Sequence, residues 1–314
     1  MGGKLWEGVA GKLAERWLAQ SVPALVFWLA SFAAWIHSRG GWHATLRPAE
    51  DLEALPLLAQ IVIVAALILG IGASALLVQR LTPAMTRLLE GHGPRWVNRV
   101  AQSPGRWGWW KPLGERTRRA RERHGKLWLA NRDGSLDANG KAELARLEAE
   151  RLRYPDDPSK EMPTRLGNIL RAVEERPRER YGLDTVALWP HLWLRLPSDA
   201  RGDLAAARQD FDRAVGTMIW GFASLGLVGL TRWALLTAVL VPLVAYRFWV
   251  LPSAATYADL VGAAFDVYRG ELYAATRWPQ PEGPKNERAQ GIALTAYLVR
   301  GVYDERVLFA ERKG

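Results

Sequence analysis

The chain has 314 residues, with 42 lysines and arginines against 32 aspartates and glutamates, which gives a formal charge of +10. It contains no cysteine, which excludes disulfide bonds, thiolate catalysis and cysteine-ligated metal centres. Sixteen tryptophans are many for this length, and indole rings favour the headgroup zone of a membrane.

Residues 1–16 predict an amphipathic helix that lies at a membrane surface. Leu5, Val9 and Leu13 recur at helical spacing, and Lys12 is one of the charged residues on the opposite face. We expect this helix to precede the point where the chain enters the bilayer.

Apolar stretches without internal charge predict four transmembrane helices, at Trp17–Ile36, Leu55–Val78, Val215–Leu230 and Trp233–Val250. A transmembrane helix needs about 20 mostly apolar residues, because the hydrocarbon core is ~30 Å thick. We interpret the first stretch as an uncleaved signal anchor, since its apolar run is longer than that of a signal peptide. The third stretch is short, so a re-entrant hairpin is the alternative for the last two.

Basic residues orient these spans through the positive-inside rule. The segment after the second span is basic from Arg80 and Arg87 onward, whereas the loop 38–53 holds Arg39 and Arg47 against three acidic residues. We therefore expect both termini and the long middle region in the cytoplasm, with the spans in a bacterial inner (cell) membrane.

The predicted domain organisation follows from these spans. It is an interfacial helix (1–16), transmembrane helices 1 and 2 (17–78), a basic helical cytoplasmic domain (79–213), transmembrane helices 3 and 4 (214–251) and a cytoplasmic helical tail (252–314).

The soluble parts also have a helical pattern, with no alternating Val/Ile-rich stretch typical of a sheet. The predicted helices are Ala84–Glu90 as an extension of the second span, Glu115–Leu129, Lys141–Arg153, Thr164–Glu175, a helix from Ser198 or Asp199 into the third span, one around Tyr257–Leu272 and one around Ile292–Arg300. Pro190 argues against a straight helix through Leu183–Leu196. We expect an all-α polytopic membrane protein with a helical cytoplasmic domain.

A cluster of basic residues interleaved with tryptophans lies between Arg95 and Trp128. Arginine forks bind phosphate and aromatic rings stack on bases, so this composition favours a nucleotide or oligonucleotide ligand. The candidate ligand-binding residues are Arg106, Lys111, Arg116, Arg118, Arg119, Arg121 and Arg123. Anionic lipid headgroups are the alternative partner, because positive-inside topology alone selects such clusters.

A second polar segment runs from Met162 to Pro197. Arg165, Asn168 and Arg171 fall on neighbouring helical positions and form a candidate cationic, hydrogen-bonding face, or else hold the domain together through salt bridges. The stretch MPTRLGNILRAVEERPRERYGLDTVALWPHL resembles a segment of uncharacterised bacterial four-span membrane proteins, and this resemblance implies no particular activity.

Small residues in the predicted spans suggest helix interfaces. Ala66, Gly70 and Ser74 recur every four residues, and Gly221 and Gly226 lie in the third span, so backbones can approach closely there. We expect these residues, with Gln60, either to pack helices within one protomer or to line a pore between protomers.

No catalytic, metal-binding or cofactor motif stands out. Residues 133–143 resemble a calcium loop but fail its register, and the histidines lack metal-ligand spacing. The sequence thus favours a non-enzymatic homo-oligomeric pore or membrane-perturbing effector, an ion channel gated by a nucleotide or oligonucleotide. This plan resembles that of bacterial antiviral defence effectors. The alternative is a membrane scaffold that binds anionic lipid and a protein partner.

Overall fold

The structure is a computed structural model that describes residues 22–41, 53–93, 113–303 and 308–309, with backbone only at 113–116. Regular structure in these residues is helical and no strand occurs among them, which confirms the all-α prediction. The predicted interfacial helix at 1–16 lies outside the described residues.

The helices are numbered here in chain order. They are α1 (Val22–Ser38), α2 (Leu57–Glu90), α3 (Leu113–Arg132), α4 (Ala138–Arg151), α5 (Arg165–Tyr181), α6 (Thr185–Trp193), α7 (Ser198–Ala223), α8 (Trp233–Ala245), α9 (Leu251–Thr276) and α10 (Pro284–Arg300). Short 3₁₀ turns occur at Pro158–Lys160 and Ser224–Leu227, and a π-helical turn at Tyr246–Val250 joins α8 to α9.

The chain forms two compact units. The apolar unit comprises Met1–Thr86 and Asp212–Val250, and the helical domain comprises Arg87–Phe211 and Leu251–Gly314. The division falls near the end of α2, within α7 and directly after the π-helical turn.

Among the described residues, two helices are long and apolar enough to cross a membrane: α2, and the continuous 44-residue helix Trp233–Thr276. From Leu57 to Gln79, α2 carries no charge, a length of about 34 Å at 1.5 Å per residue. Its side chains are largely exposed, with Leu69 at 72%, and a surface of this kind suits lipid rather than water. These properties indicate membrane association.

The first and third predicted spans, Trp17–Ile36 and Val215–Leu230, are not supported by helices of this length. Helix α1 is apolar but has only 17 described residues, because 17–21 lie outside the described part. Helix α7 runs into the predicted third span, as expected, but ends at Ala223, where a 3₁₀ turn begins, so only part of Val215–Leu230 is α-helical. Gly221 lies against the Pro242 ring of α8, which leaves no space for a Cβ at that position. The structure thus leaves the four-span prediction unconfirmed.

The core of the helical domain lies where α5, α6, α9 and α10 meet. Leu188, Phe265, Leu272 and Leu294 are all 1% exposed or less there. Because α9 has the most extensive contacts with α5, these two helices form the centre of the domain.

The predicted end of α5 at Glu175 was wrong, because the helix continues through Pro177 to Tyr181. Pro190 lies inside α6, which covers only the nine residues Thr185–Trp193 of the stretch Leu183–Leu196. Pro177 removes the amide donor that would reach the Val173 carbonyl, and its ring is buried. Nearby, the Thr185 hydroxyl donates to the Glu174 carbonyl at 2.7 Å and ties α6 to α5. Burial of the ring offsets part of the usual cost of an interior proline, which is roughly 3 kcal/mol.

Helix α10 also begins earlier than the sequence indicates, at Pro284 instead of near Ile292. Proline suits the first turn of a helix, where its missing amide hydrogen has no partner to lose. Polar residues fill this first part of the helix, so its apolar pattern becomes visible only from Ile292 onward.

Candidate functional site

Helices α3 and α4 pack against each other and frame one side of the site. Asp137 caps α4 by accepting from the Gly140 amide at 2.8 Å, which begins the helix three residues before the predicted start. Across the pair, Arg123 lies 2.7 Å from Glu143. The charged residues of α3 thus help to hold α4 in place.

The segment after α4 returns to α3 and closes this side. Arg121 donates to the Pro155 carbonyl at 2.8 Å and lies 2.7 Å from the Glu161 carboxylate. The Thr117 hydroxyl donates to the same carboxylate at 3.1 Å. From the other side, Arg176 of α5 donates to the Leu152 carbonyl at 2.5 Å. Residues 152–161 are therefore fixed between α3 and α5.

These contacts leave an open polar groove of about 350 Å³ between α3, α4 and α5. We call it the polar groove. It is lined by His124, Trp128, Glu148, Arg151, Leu152, Tyr154, Asp156, Ala172, Arg176, Glu179 and Arg180. A smaller cavity of about 50 Å³ adjoins it and shares His124, Arg151 and Tyr154, with Arg121 and Arg165 also in its lining.

Opposite charges alternate around the polar groove. Arg151 lies 3.1 Å from Asp156, and His124 lies 3.9 Å from Glu148. Trp128 is 47% exposed, so an apolar ring faces the same solvent-filled space as the guanidinium groups. The groove can therefore offer charged hydrogen bonds and an aromatic surface to one small ligand.

Most of the predicted ligand-binding arginines of α3 do not converge on this groove. Arg118 pairs with Glu122 on the same helix at 3.8 Å, and Arg119 and Arg123 are exposed. Arg121 points inward to the small cavity. Arg106 and Lys111 lie outside the described residues, as does the side chain of Arg116.

The three predicted polar residues of α5 have separate environments. Asn168 is 0% exposed, and its amide accepts from the Met162 amide and donates to the carbonyls of Met162 and Thr164, each at 2.8 Å. The Asn168 amide therefore has no hydrogen-bonding group left for a ligand, and its role is to hold the turn that precedes α5. Arg165 is exposed at the small cavity, and Arg171 forms ion pairs within α5.

The turn that Asn168 holds also receives the C-terminal end of α2. Thr164 caps α5 by accepting from the Gly167 amide at 2.9 Å. A Cβ at Gly167 would collide with the Glu90 carbonyl, and one at Gly91 would collide with the Pro163 ring. The glycines thus allow the last residues of α2 to lie directly on the first turn of α5.

A buried carboxylate stiffens α5 between its two ends. Glu175 is 3% exposed and lies 2.5 Å from Lys160 and 2.6 Å from Arg171. The hydrogen bond to Glu175 raises the pKa of Lys160 above its usual value, and the nearby Glu179 carboxylate adds to the shift. The salt-bridge alternative for Arg171 thus agrees with this geometry.

The predicted interface residues of the apolar unit differ in their surroundings. Gln60 donates to the Leu55 carbonyl at 3.0 Å, near the start of α2. Ser74 accepts from the Trp28 indole at 3.1 Å and so helps to hold α1 on α2. Ala66 and Gly70 are exposed, and open space surrounds Gly70 and Gly226.

None of the residues that line the polar groove was among the predicted ligand-binding residues. Arg176 and Arg180 are four residues apart, which places both on one face of α5. That spacing is the signal that could have indicated them. Trp128 and Tyr154 come together only because residues 152–161 fold back to α3, which no local pattern indicates.

The part of the chain that the structure describes is thus helical, with two helices suited to a membrane and a helical domain that contains a polar groove. No protein-family model matches the chain, and comparison with curated proteins and with solved structures gave no significant match.

Proposed function

We propose that this chain is a membrane protein whose helical domain binds a small anionic ligand in the polar groove and transmits binding to α2 through α5. The observation that carries this proposal is the position of α5. It lines the groove with Arg176 and Arg180, and its first turn receives the end of α2 at Gly167. A stiff helix in contact with both places is a suitable two-state element.

The ligand site of this proposal differs from the predicted arginine cluster on α3. Ion pairs and exposed positions disperse those arginines, whereas the polar groove gathers three arginines in a concave space. Guanidinium forks match carboxylate and phosphate groups, so the groove suits an anion of limited size.

In this proposal, copies of the chain assemble into an oligomeric pore in a bacterial inner membrane, with both termini of each copy in the cytoplasm. Exposed Ala66 and Gly70 support it, because small residues allow helices of neighbouring protomers to approach closely. A protomer with few spans forms a pore by closing a ring, which predicts cyclic symmetry. The basic residues that follow α2 support the orientation.

The second candidate function is a membrane scaffold that binds anionic lipid and a protein partner. The observation that favours it is the outward direction of the basic residues on α3, where the side chains of Arg118 and Arg123 are 70% and 67% exposed. An outward basic face suits a charged surface better than an enclosed ligand.

The test begins with the full chain purified in mild detergent. Its oligomeric state is measured, and ion flux is followed in liposomes with and without pyrophosphate, a compact anion. We expect a closed ring whose flux responds to pyrophosphate. Arg180→Gln should remove the response at the groove and Gly167→Ala should remove it at the α2 contact, whereas Gly202→Ala, which has open space, should keep it.

Two outcomes would contradict the pore. One is a stable monomer both in detergent and in native membranes. The other is a ring without flux that binds only anionic lipid, and this result would favour the scaffold.

A further inference from the structure

We infer that the ligand of the polar groove is a mononucleotide, with its phosphate at the arginines of α5 and its base at Trp128. The inference deepens the proposed function, because it names the chemical class of the ligand at the same site. It also decides between the two nucleic-acid ligands that the sequence leaves open, in favour of a single nucleotide over an oligonucleotide.

The size of the groove is the first argument. Its volume of about 350 Å³ falls at the lower end of the range of small-molecule sites, roughly 300–1,000 Å³. A single nucleotide suits a volume of this order. An oligonucleotide instead needs an extended track of cations and stacking rings, and the predicted arginines of α3 are not arranged as one.

The charge pattern is the second argument. The lining holds three arginines and also three carboxylates, from Glu148, Asp156 and Glu179. Carboxylates repel successive phosphates of a strand, but they accept hydrogen bonds from the amino groups of a base or the hydroxyls of a ribose. A ligand that carries both an anionic group and hydrogen-bond donors therefore matches the groove.

The aromatic group is the third argument. Trp128 lines the groove and remains 47% exposed, although Arg132 lies over its ring at 5.7 Å from the centroid. Tyr154 lines the same space. Stacking on such a ring distinguishes a nucleotide from inorganic phosphate, because phosphate has no planar face.

The experiment measures binding to the purified full chain in detergent by calorimetry. The probes are the four nucleoside 5′-monophosphates, inorganic phosphate and hexathymidylate. We expect at least one mononucleotide to bind about tenfold or more tightly than phosphate, and also more tightly than hexathymidylate. Arg180→Gln and Trp128→Leu should each weaken this binding about tenfold, which corresponds to the loss of one stacked or charge-assisted contact.

Matched controls have similar chemistry outside the groove. Arg118→Gln changes an exposed arginine of α3, and Trp233→Leu changes an indole that is 69% exposed on α8. Both should leave the affinity within about twofold. Equal losses in the controls and the groove variants would overturn the inference.

Three further results would also overturn it: equal affinity for phosphate and every mononucleotide, tighter binding of hexathymidylate, or no binding of any mononucleotide. Flux measurements separate this failure from failure of the proposed function. Pyrophosphate-gated flux without nucleotide preference would leave the gating intact and reject the nucleotide. Selective nucleotide binding without any flux response would support the nucleotide ligand and reject the gating.

Discussion

Replacement of Asn168 by alanine tests the role of this residue in the turn that receives α2. Asn168→Ala removes three hydrogen bonds of 2.8 Å at a site with 0% exposure. Each bond contributes about 1 kcal/mol, and backbone groups that stay buried without a partner add to the loss. We therefore expect the opening free energy of α5 to fall by about 3 kcal/mol or more.

Hydrogen exchange of α5 peptides, followed by mass spectrometry on the full chain in detergent, measures this change locally. A loss of about 3 kcal/mol accelerates exchange by roughly two orders of magnitude. The control is Asn286→Ala, an exposed position on α10 where we expect a change within about 0.5 kcal/mol. Similar exchange in the two variants would refute the structural role of Asn168.

Three other perturbations test the remaining parts of the structure. Gly167→Ala should destabilise the helical domain by about 1–3 kcal/mol through overpacking, measured by the same exchange, whereas Gly202→Ala has open space and should be neutral or stabilising. Leu69→Lys should reduce the membrane insertion of α2, seen as faster labelling of a cysteine introduced at Ala66 by a water-soluble thiol reagent, because a central lysine costs about 2.5–3.5 kcal/mol. Leu194→Lys, at a residue that is 76% exposed on the helical domain, should not change this labelling. The pKa of Lys160 is raised in the folded state, so this lysine contributes stability that is fully present below its unfolded-state pKa. That stability is lost as the pH rises through the folded-state pKa. Lys160→Gln should therefore flatten the alkaline part of a plot of unfolding free energy against pH.

Each of these expectations has a clear contrary result. Equal exchange in the two glycine variants would mean that the contact between α2 and α5 carries no steric constraint. Unchanged cysteine labelling in Leu69→Lys would mean that α2 does not lie in lipid. An alkaline unfolding profile unchanged by Lys160→Gln would mean that this ion pair does not couple protonation to folding.

The sequence predicted elements best where one physical cause dominates. Leu57–Gln79 is visible because a charge-free run of that length has few other stable environments than a membrane. The start of α7 at Ser198 agrees with the predicted start at Ser198 or Asp199, although Ser198 is the first helical residue and not a cap before the helix. Helix α5 extended past its predicted end because Pro177 is buried in the folded domain, and this burial is not visible locally.

The site was harder to predict, because a high density of arginines in the sequence does not mean that their side chains converge in the folded structure. The arginines of α3 are close in sequence but turn to different partners, as Arg121 does to Glu161 and Arg123 to Glu143. Asn168 looked like a surface hydrogen-bonding residue, since its helical neighbours are charged. Its burial follows from the return of Met162 and Thr164 over its amide, which is a property of the folded turn.

The π-helical turn at Tyr246–Val250 has a consequence for how this chain tolerates insertions and deletions. Such a turn accommodates about one residue more than an α-helical turn, so one residue can be deleted there while the turn becomes α-helical. A one-residue deletion within α9, between the buried residues Ala254 and Phe265, would instead turn these two side chains by about 100° relative to each other. A deletion scan of the helix Trp233–Thr276 should therefore show its greatest tolerance at 246–250.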